Sequence, residues 1–119
     1  MMTKASYVPE RRDIVWLDFE PKKGKEIGKR RPVFVLSSKI YNQKTGLLIC
    51  CPISTSIRGA LTEVVVKDLD KPLVVAASLV QTLSWQSRNV RFIARAKPKV
   101  LKEVLSKLLP FMGAQALFG

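Results

Sequence analysis

The chain has 119 residues, 47% apolar and 8% aromatic, with 21 basic against 9 acidic side chains and a net charge of +12. That size and apolar content predict one domain over 1–119 with a modest core, and exclude the polar composition of a disordered chain. So large a cationic excess predicts an anionic partner, and no apolar run approaches the roughly 18 residues of a membrane-spanning helix.

The opening stretch MMTKASYVPERRD has no apolar core of a signal peptide, so a cytoplasmic protein is expected. DIVWLDF (13–19) is rich in β-branched and aromatic residues and predicts a first strand. A long connection over 20–31 follows, where hairpin loops usually run about two to five residues. Six of the ten residues from Lys22 to Arg31 are cations, with Glu26 the one carboxylate and Gly24 and Gly28 as joints. Such glycines let a backbone approach a ligand. PVFVLSS (32–38) predicts a buried strand, NQKTG a turn, and LLICCPIS (47–54) another strand. Its vicinal Cys50 and Cys51 are poor disulfide partners and read as small buried residues. LTEVVVK (61–67), LVVAASLV (73–80) and NVRFIARA (89–96) complete a series of short strands at the spacing of a small barrel or sandwich. In PKVLKEVLSKLL the period changes. Val100, Leu101, Val104, Leu105, Leu108 and Leu109 share one helical face, with Pro98 in the first turn and Pro110 ending or kinking the helix. The tail FMGAQALFG is apolar and suited to packing back on the barrel or into a partner.

Histidine is absent, which removes the commonest general base and the commonest metal ligand. Hydrolytic chemistry would therefore use Arg, Lys, Ser, Thr or a carboxylate, with no metal and no cofactor expected. Trp16 and Trp85 are the rings able to stack a base, Trp16 reading more as core and Trp85, among polar neighbours, as open to either role. Arg58, Arg88 and Arg91 are further phosphate candidates.

The stretch from Tyr7 to Gly46 resembles the MazF/PemK toxin family. The shared pattern is a strand ending in Asp18, Phe19 and Pro21, then Gly24, Glu26, Arg31 and Pro32, then Tyr41 and Asn42. CPISTSIRG resembles that family's Pro-x-Thr strand end and EVVV its next strand, so the match is good over about 7–66. The resemblance implies an SH3-like β-barrel of about six to seven short strands with a C-terminal α-helix, working as a homodimer. It implies a toxin that cuts single-stranded RNA, including mRNA, without a metal, and so inhibits growth. It implies an acidic antitoxin partner, with operator DNA reached only through that antitoxin and no membrane. It places the catalytic positions on Arg31 and Ser54.

Those residue types suit the chemistry. Metal-free cleavage uses the substrate's own 2′-OH and passes through a dianionic phosphorane, so it needs a base, donors to the phosphorane oxygens and an acid. Arg31 offers a phosphate-matched fork, and Ser54 a hydroxyl donor. Glu26 is the candidate base or an orienting group. Phe19, Pro21, Lys22, Lys23, Lys25, Gly28, Lys29, Arg30, Thr55, Arg58 and Trp85 are the expected RNA-binding residues. One departure stands out: Ser78-Leu79 falls where the family usually shows Asp-Gln, which puts activity or sequence preference in question. The competing reading is a non-catalytic module of the same fold, either a CcdB-like gyrase inhibitor or a nucleic-acid-binding autorepressor.

Overall fold

The structure, a computed structural model, describes residues 7–19, 29–67 and 69–118. Strands β1 (Asp13–Asp18) and β2 (Arg30–Val35) are followed by helix α1 (Lys39–Thr45), then β3 (Leu47–Ser54), β4 (Glu63–Val66) and β5 (Leu73–Ala76). A single 3-10 turn (Ala77–Leu79) leads to β6 (Gln81–Ser84), β7 (Arg91–Arg95) and helices α2 (Pro98–Phe111) and α3 (Gln115–Phe118). The expected mainly-β architecture with a C-terminal helix is what forms. Its strands lie in the order β4-β5-β3-β2-β1-β7, with β6 beside β3, in one antiparallel sheet curled into a half-barrel.

Strand β3 makes the corner of that curl. Its first half pairs β6, from Leu47↔Ser84 to Cys50↔Gln81, and its end pairs β5 through Ile53↔Val75 and Ser54↔Val74. The run LVVAASLV (73–80), expected as one strand, forms β5 only as far as Ala76 and then turns at Ala77–Leu79, while β6 (Gln81–Ser84) lies beyond it, where no strand was expected. A strand that serves both halves of a curled sheet needs its neighbour to step aside between them. Cys51 helps hold the step, its Sγ lying 3.7 Å from the Ala77 carbonyl oxygen.

The core divides between the two faces of the sheet. On one face Ile14, Phe34, Cys51, Ile53, Val64, Val66 and Val75 meet α2, which buries Val100, Val104 and Leu108 at successive four-residue steps. Complete burial of side chains of this size contributes about 1.5–3 kcal/mol each. On the other face Val15, Leu17, Val33, Val35, Leu48, Cys50 and Trp85 form a second cluster. The two cysteines thus belong to opposite clusters, and burial pushes their thiols up to about 12 for Cys50 and about 11 for Cys51. Both stay protonated and unreactive at neutral pH.

Helix α1 replaces the expected NQKTG turn. Ser38 caps it, its Oγ accepting from the Tyr41 N–H at 3.1 Å, and Gly46 ends it at φ 71°. Seven residues between two strong caps carry too little periodicity to read as a helix, so local capping rather than an apolar stripe decides the conformation. Asn42 locks it to the sheet: its Nδ2 donates to the Pro9 carbonyl at 2.8 Å, and its Oδ1 accepts from Ser37 Oγ at 2.5 Å. Helix α2 runs one residue past Pro110 and closes with the Met112 N–H on the Leu109 carbonyl at 3.0 Å. No helix among the described residues is long and apolar enough to cross a membrane.

Candidate active site

Arg31 is the second residue of β2 and pairs Leu17 of β1, while Ser54 is the last residue of β3. Strands β2 and β3 pair from Val35↔Cys50 to Val33↔Pro52. The β2–β3 ladder ends at Val33↔Pro52, and the same register carried two residues further would bring Arg31 across from Ser54. Alternation along a strand puts Arg31 on the face of Val33 and Val35, and Ser54 on the face of Cys50. Those three residues belong to one cluster, so the side chains of Arg31 and Ser54 leave their strands on the same side of the sheet. Both residues are exposed.

The surroundings of Ser54 orient its hydroxyl. Its Oγ accepts the Ser56 N–H at 3.0 Å, so one lone pair is committed to the backbone and the O–H remains free to donate outward. Thr55 lies one residue beyond β3 and is exposed. The exposed connection from Thr55 to Ala60 is held by Glu63, whose Oε1 accepts the N–H groups of Arg58 (3.1 Å) and Ala60 (3.2 Å). Arg58 is therefore carried at a fixed place beside the end of β3, with its side chain exposed.

Phe19 and Lys29 face each other at the entrance to the basic connection, the Phe19 N–H donating to the Lys29 carbonyl at 2.7 Å. Phe19 is half-buried against the second cluster, and Lys29 is exposed. Arg30, adjacent to Arg31, turns to the opposite face and lies over the Trp16 ring at 5.1 Å from its centroid. The expected cationic stretch thus separates here: Arg31 lies on the side of the sheet that carries Ser54, and Arg30 covers Trp16. Pro21, Lys22, Lys23, Lys25, Glu26 and Gly28 lie outside the described residues.

Trp85 corrects an expectation. It is 8% exposed inside the second cluster, and its indole N–H donates to the Asn42 carbonyl at 2.9 Å. No ring face is left for a base, because the ring fills the space under β2 and β3. Its polar sequence neighbours occupy the outside of the turn that folds it in. Arg88 is also turned inward. Its Nη1 donates to the carbonyls of Asp18 (2.8 Å) and Phe19 (3.0 Å), so this guanidinium is engaged by the backbone rather than presented to phosphate. Nothing in the sequence marked that contact, whose partners lie 70 residues away. Ser78 and Leu79 are exposed on the 3-10 turn, Leu79 at 61%.

An exposed guanidinium and an exposed hydroxyl on one side of a strongly basic half-barrel suit a phosphate-handling protein built on a small β-barrel. The particular lineage follows from comparison with known proteins. Residues 10–112 match the PemK-like, MazF-like toxins of type II toxin–antitoxin systems, and the chain belongs to that family. It is 35% identical to the endoribonuclease toxin MazF of Escherichia coli K12 over 107 residues, covering 90% of this chain and 96% of that one. Among solved structures, MazF in a MazE–MazF crystal from Deinococcus radiodurans superposes with a TM-score of 0.82 at 39% identity, covering 91% of this chain and 98% of that one. A crystal structure of MazF from the same organism gives 0.80 at 40% identity, over 91% and 99% of the two chains.

Proposed function

We propose that this toxin is an endoribonuclease that cuts single-stranded RNA by attack of the substrate's own 2′-OH, without a metal. The observation that supports this most is the convergence of Arg31 and Ser54 on one strand end and one face. In the reaction the 2′-oxygen bonds to phosphorus and the P–O5′ bond breaks. The departing 5′-oxygen takes up a proton from solvent, and the products are a 2′,3′-cyclic phosphate and a 5′-OH end. Negative charge grows on the non-bridging oxygens, to which the Arg31 fork and the Ser54 O–H donate. Glu26, the carboxylate of the basic connection, takes the 2′-OH proton or holds a cation in place. Phe19, Lys29, Thr55 and Arg58 border the same end of the sheet and supply the flanking RNA contacts.

Purified protein incubated with a long RNA in excess EDTA tests this reading. Cleavage is expected to persist and to leave 5′-OH ends. Loss of activity on chelation, with recovery on adding a divalent cation, would contradict it.

The same reading includes a homodimer, a cytoplasmic location and an acidic antitoxin through which alone operator DNA is reached. The occurrence of MazE with MazF in the Deinococcus crystal supports a protein partner. For the dimer the support is an unpartnered apolar end: Leu109 is 40% exposed, Phe111 62%, Met112 67% and Leu117 81%. Light scattering is expected to give twice the chain mass at micromolar concentration, and a monomer there would count against the dimer.

A further inference from the structure

We infer that Arg88 is a positioning residue of the cleavage site, fixing the end of β1 and through it the backbone that carries Arg31. The inference rests on the ribonuclease reading above and adds to it a residue that touches no substrate.

The ladder between β1 and β7 stops at Trp16↔Arg91, so among the described residues no strand flanks the end of β1 on that side. Arg88 takes the place of one. Its carbonyl accepts the Asp18 N–H at 2.9 Å, and its Nη1 returns to the carbonyls of Asp18 and Phe19 at 2.8 and 3.0 Å. On the other side the same two residues are tied to β2, by the pair Asp18↔Arg30 and by the Phe19 N–H on the Lys29 carbonyl. Leu17, the residue before them, pairs Arg31. The end of β1 is therefore gripped from both edges, one step from the proposed catalytic guanidinium.

The grip is itself anchored. The Arg88 N–H donates to the Trp85 carbonyl at 3.3 Å. Trp85 is pinned to the end of α1 through its indole on the Asn42 carbonyl and its N–H on the Gly46 carbonyl. A continuous set of hydrogen bonds thus runs from a capped helix to the start of β2. Arg88 Nε is buried with no partner, an unfavourable feature of this arrangement that the two carbonyl contacts offset. A residue serving packing alone would not require a guanidinium here.

Catalysis by a fork of donors is sensitive to position: a displacement of about 1 Å can cost about 10²-fold in rate. Electrostatic attachment of a phosphate chain to exposed cations tolerates such displacements. Removing the grip should accordingly lower turnover much more than affinity.

The test uses the full chain with Arg88→Met, which keeps the stem and removes the donors, and Arg88→Lys, which keeps charge and donors without the fork. Single-turnover cleavage at saturating RNA, RNA affinity, thermal unfolding and amide hydrogen exchange are measured together. In the folded Arg88→Met variant the rate is expected to fall at least about tenfold with affinity changed less than about threefold. The Phe19 amide should lose protection while that of Val33 keeps it, and Arg88→Lys should recover part of the rate. A folded Arg88→Met variant with an unchanged rate would overturn the inference, as would equal losses of rate and affinity. Unfolding of both variants would assign Arg88 to stability alone and overturn it too. If the unmodified protein cuts no RNA, the ribonuclease reading fails by itself, and unchanged Phe19 exchange in Arg88→Met would then refute the grip independently.

Discussion

Replacing Arg31 with Ala is expected to abolish RNA cleavage while leaving the protein folded. Arg31 is exposed at the start of β2, so truncation opens no cavity and breaks no side-chain hydrogen bond among the described residues. Its backbone pairing with Leu17 does not depend on the side chain. The expected loss is therefore catalytic. Losing one preorganised donor to a developing oxyanion typically costs about 10²–10³ in rate, or about 3–4 kcal/mol, and a two-pronged guanidinium should cost at least that. Arg31→Lys should also be poor, because an ammonium on a flexible stem does not reproduce the planar fork. Single-turnover kinetics with thermal unfolding as the folding control checks this. Near-normal turnover in a folded Arg31→Ala variant would remove Arg31 from the site.

Ser54 is expected to show a different profile. Its Oγ already accepts the Ser56 N–H, so its contribution to the reaction is the remaining O–H donor. Ser54→Ala should lose about 10²–10³ in rate with little change in RNA affinity, since the donor matters most where charge develops in the transition state. Ser54→Thr keeps the hydroxyl at an exposed position with room for one more methyl group, and should retain or improve activity. Ser54→Cys should be nearly inactive, because a thiol is a weak donor. An Ala variant with an unchanged rate would shift attention to Thr55 or Ser56. A trappable phospho-enzyme would instead make Ser54 a nucleophile.

Most strands were legible because they are short, apolar, β-branched runs between turn residues, the polar QTLS of β6 being the exception, and the amphipathic stripe of α2 was legible because it covers several turns. What escaped reading depends on contacts distant in sequence. LVVAASLV looks like one strand, yet only its first half pairs β3, and the second partner of β3 is the polar run QTLS that follows it. Lys39–Thr45 looks like a turn because only its caps, Ser38 and Gly46, make it a helix. Trp85, among polar neighbours, could be read as core or as a stacking ring, yet the indole reaches back to Asn42, 43 residues earlier. In the site, the family resemblance singled out Arg31 and Ser54 one at a time. Their shared face and facing register follow from strand pairing, which no spacing within either motif encodes. The cations from Lys22 to Arg31 read as one patch, whereas strand alternation sends Arg30 to the side opposite Arg31, onto Trp16.

The central claim is that the substrate's own 2′-OH breaks the chain at a phosphate held by Arg31 and Ser54. A single 2′-deoxy nucleotide placed at the mapped cleavage position of an otherwise ordinary RNA tests it most directly. The account predicts that this RNA binds as tightly as its parent and stays intact, while the parent is cut in EDTA to a 2′,3′-cyclic phosphate and a 5′-OH. Cleavage of the deoxy-substituted RNA at the same position, or a 5′-phosphate on the parent's product, would contradict it.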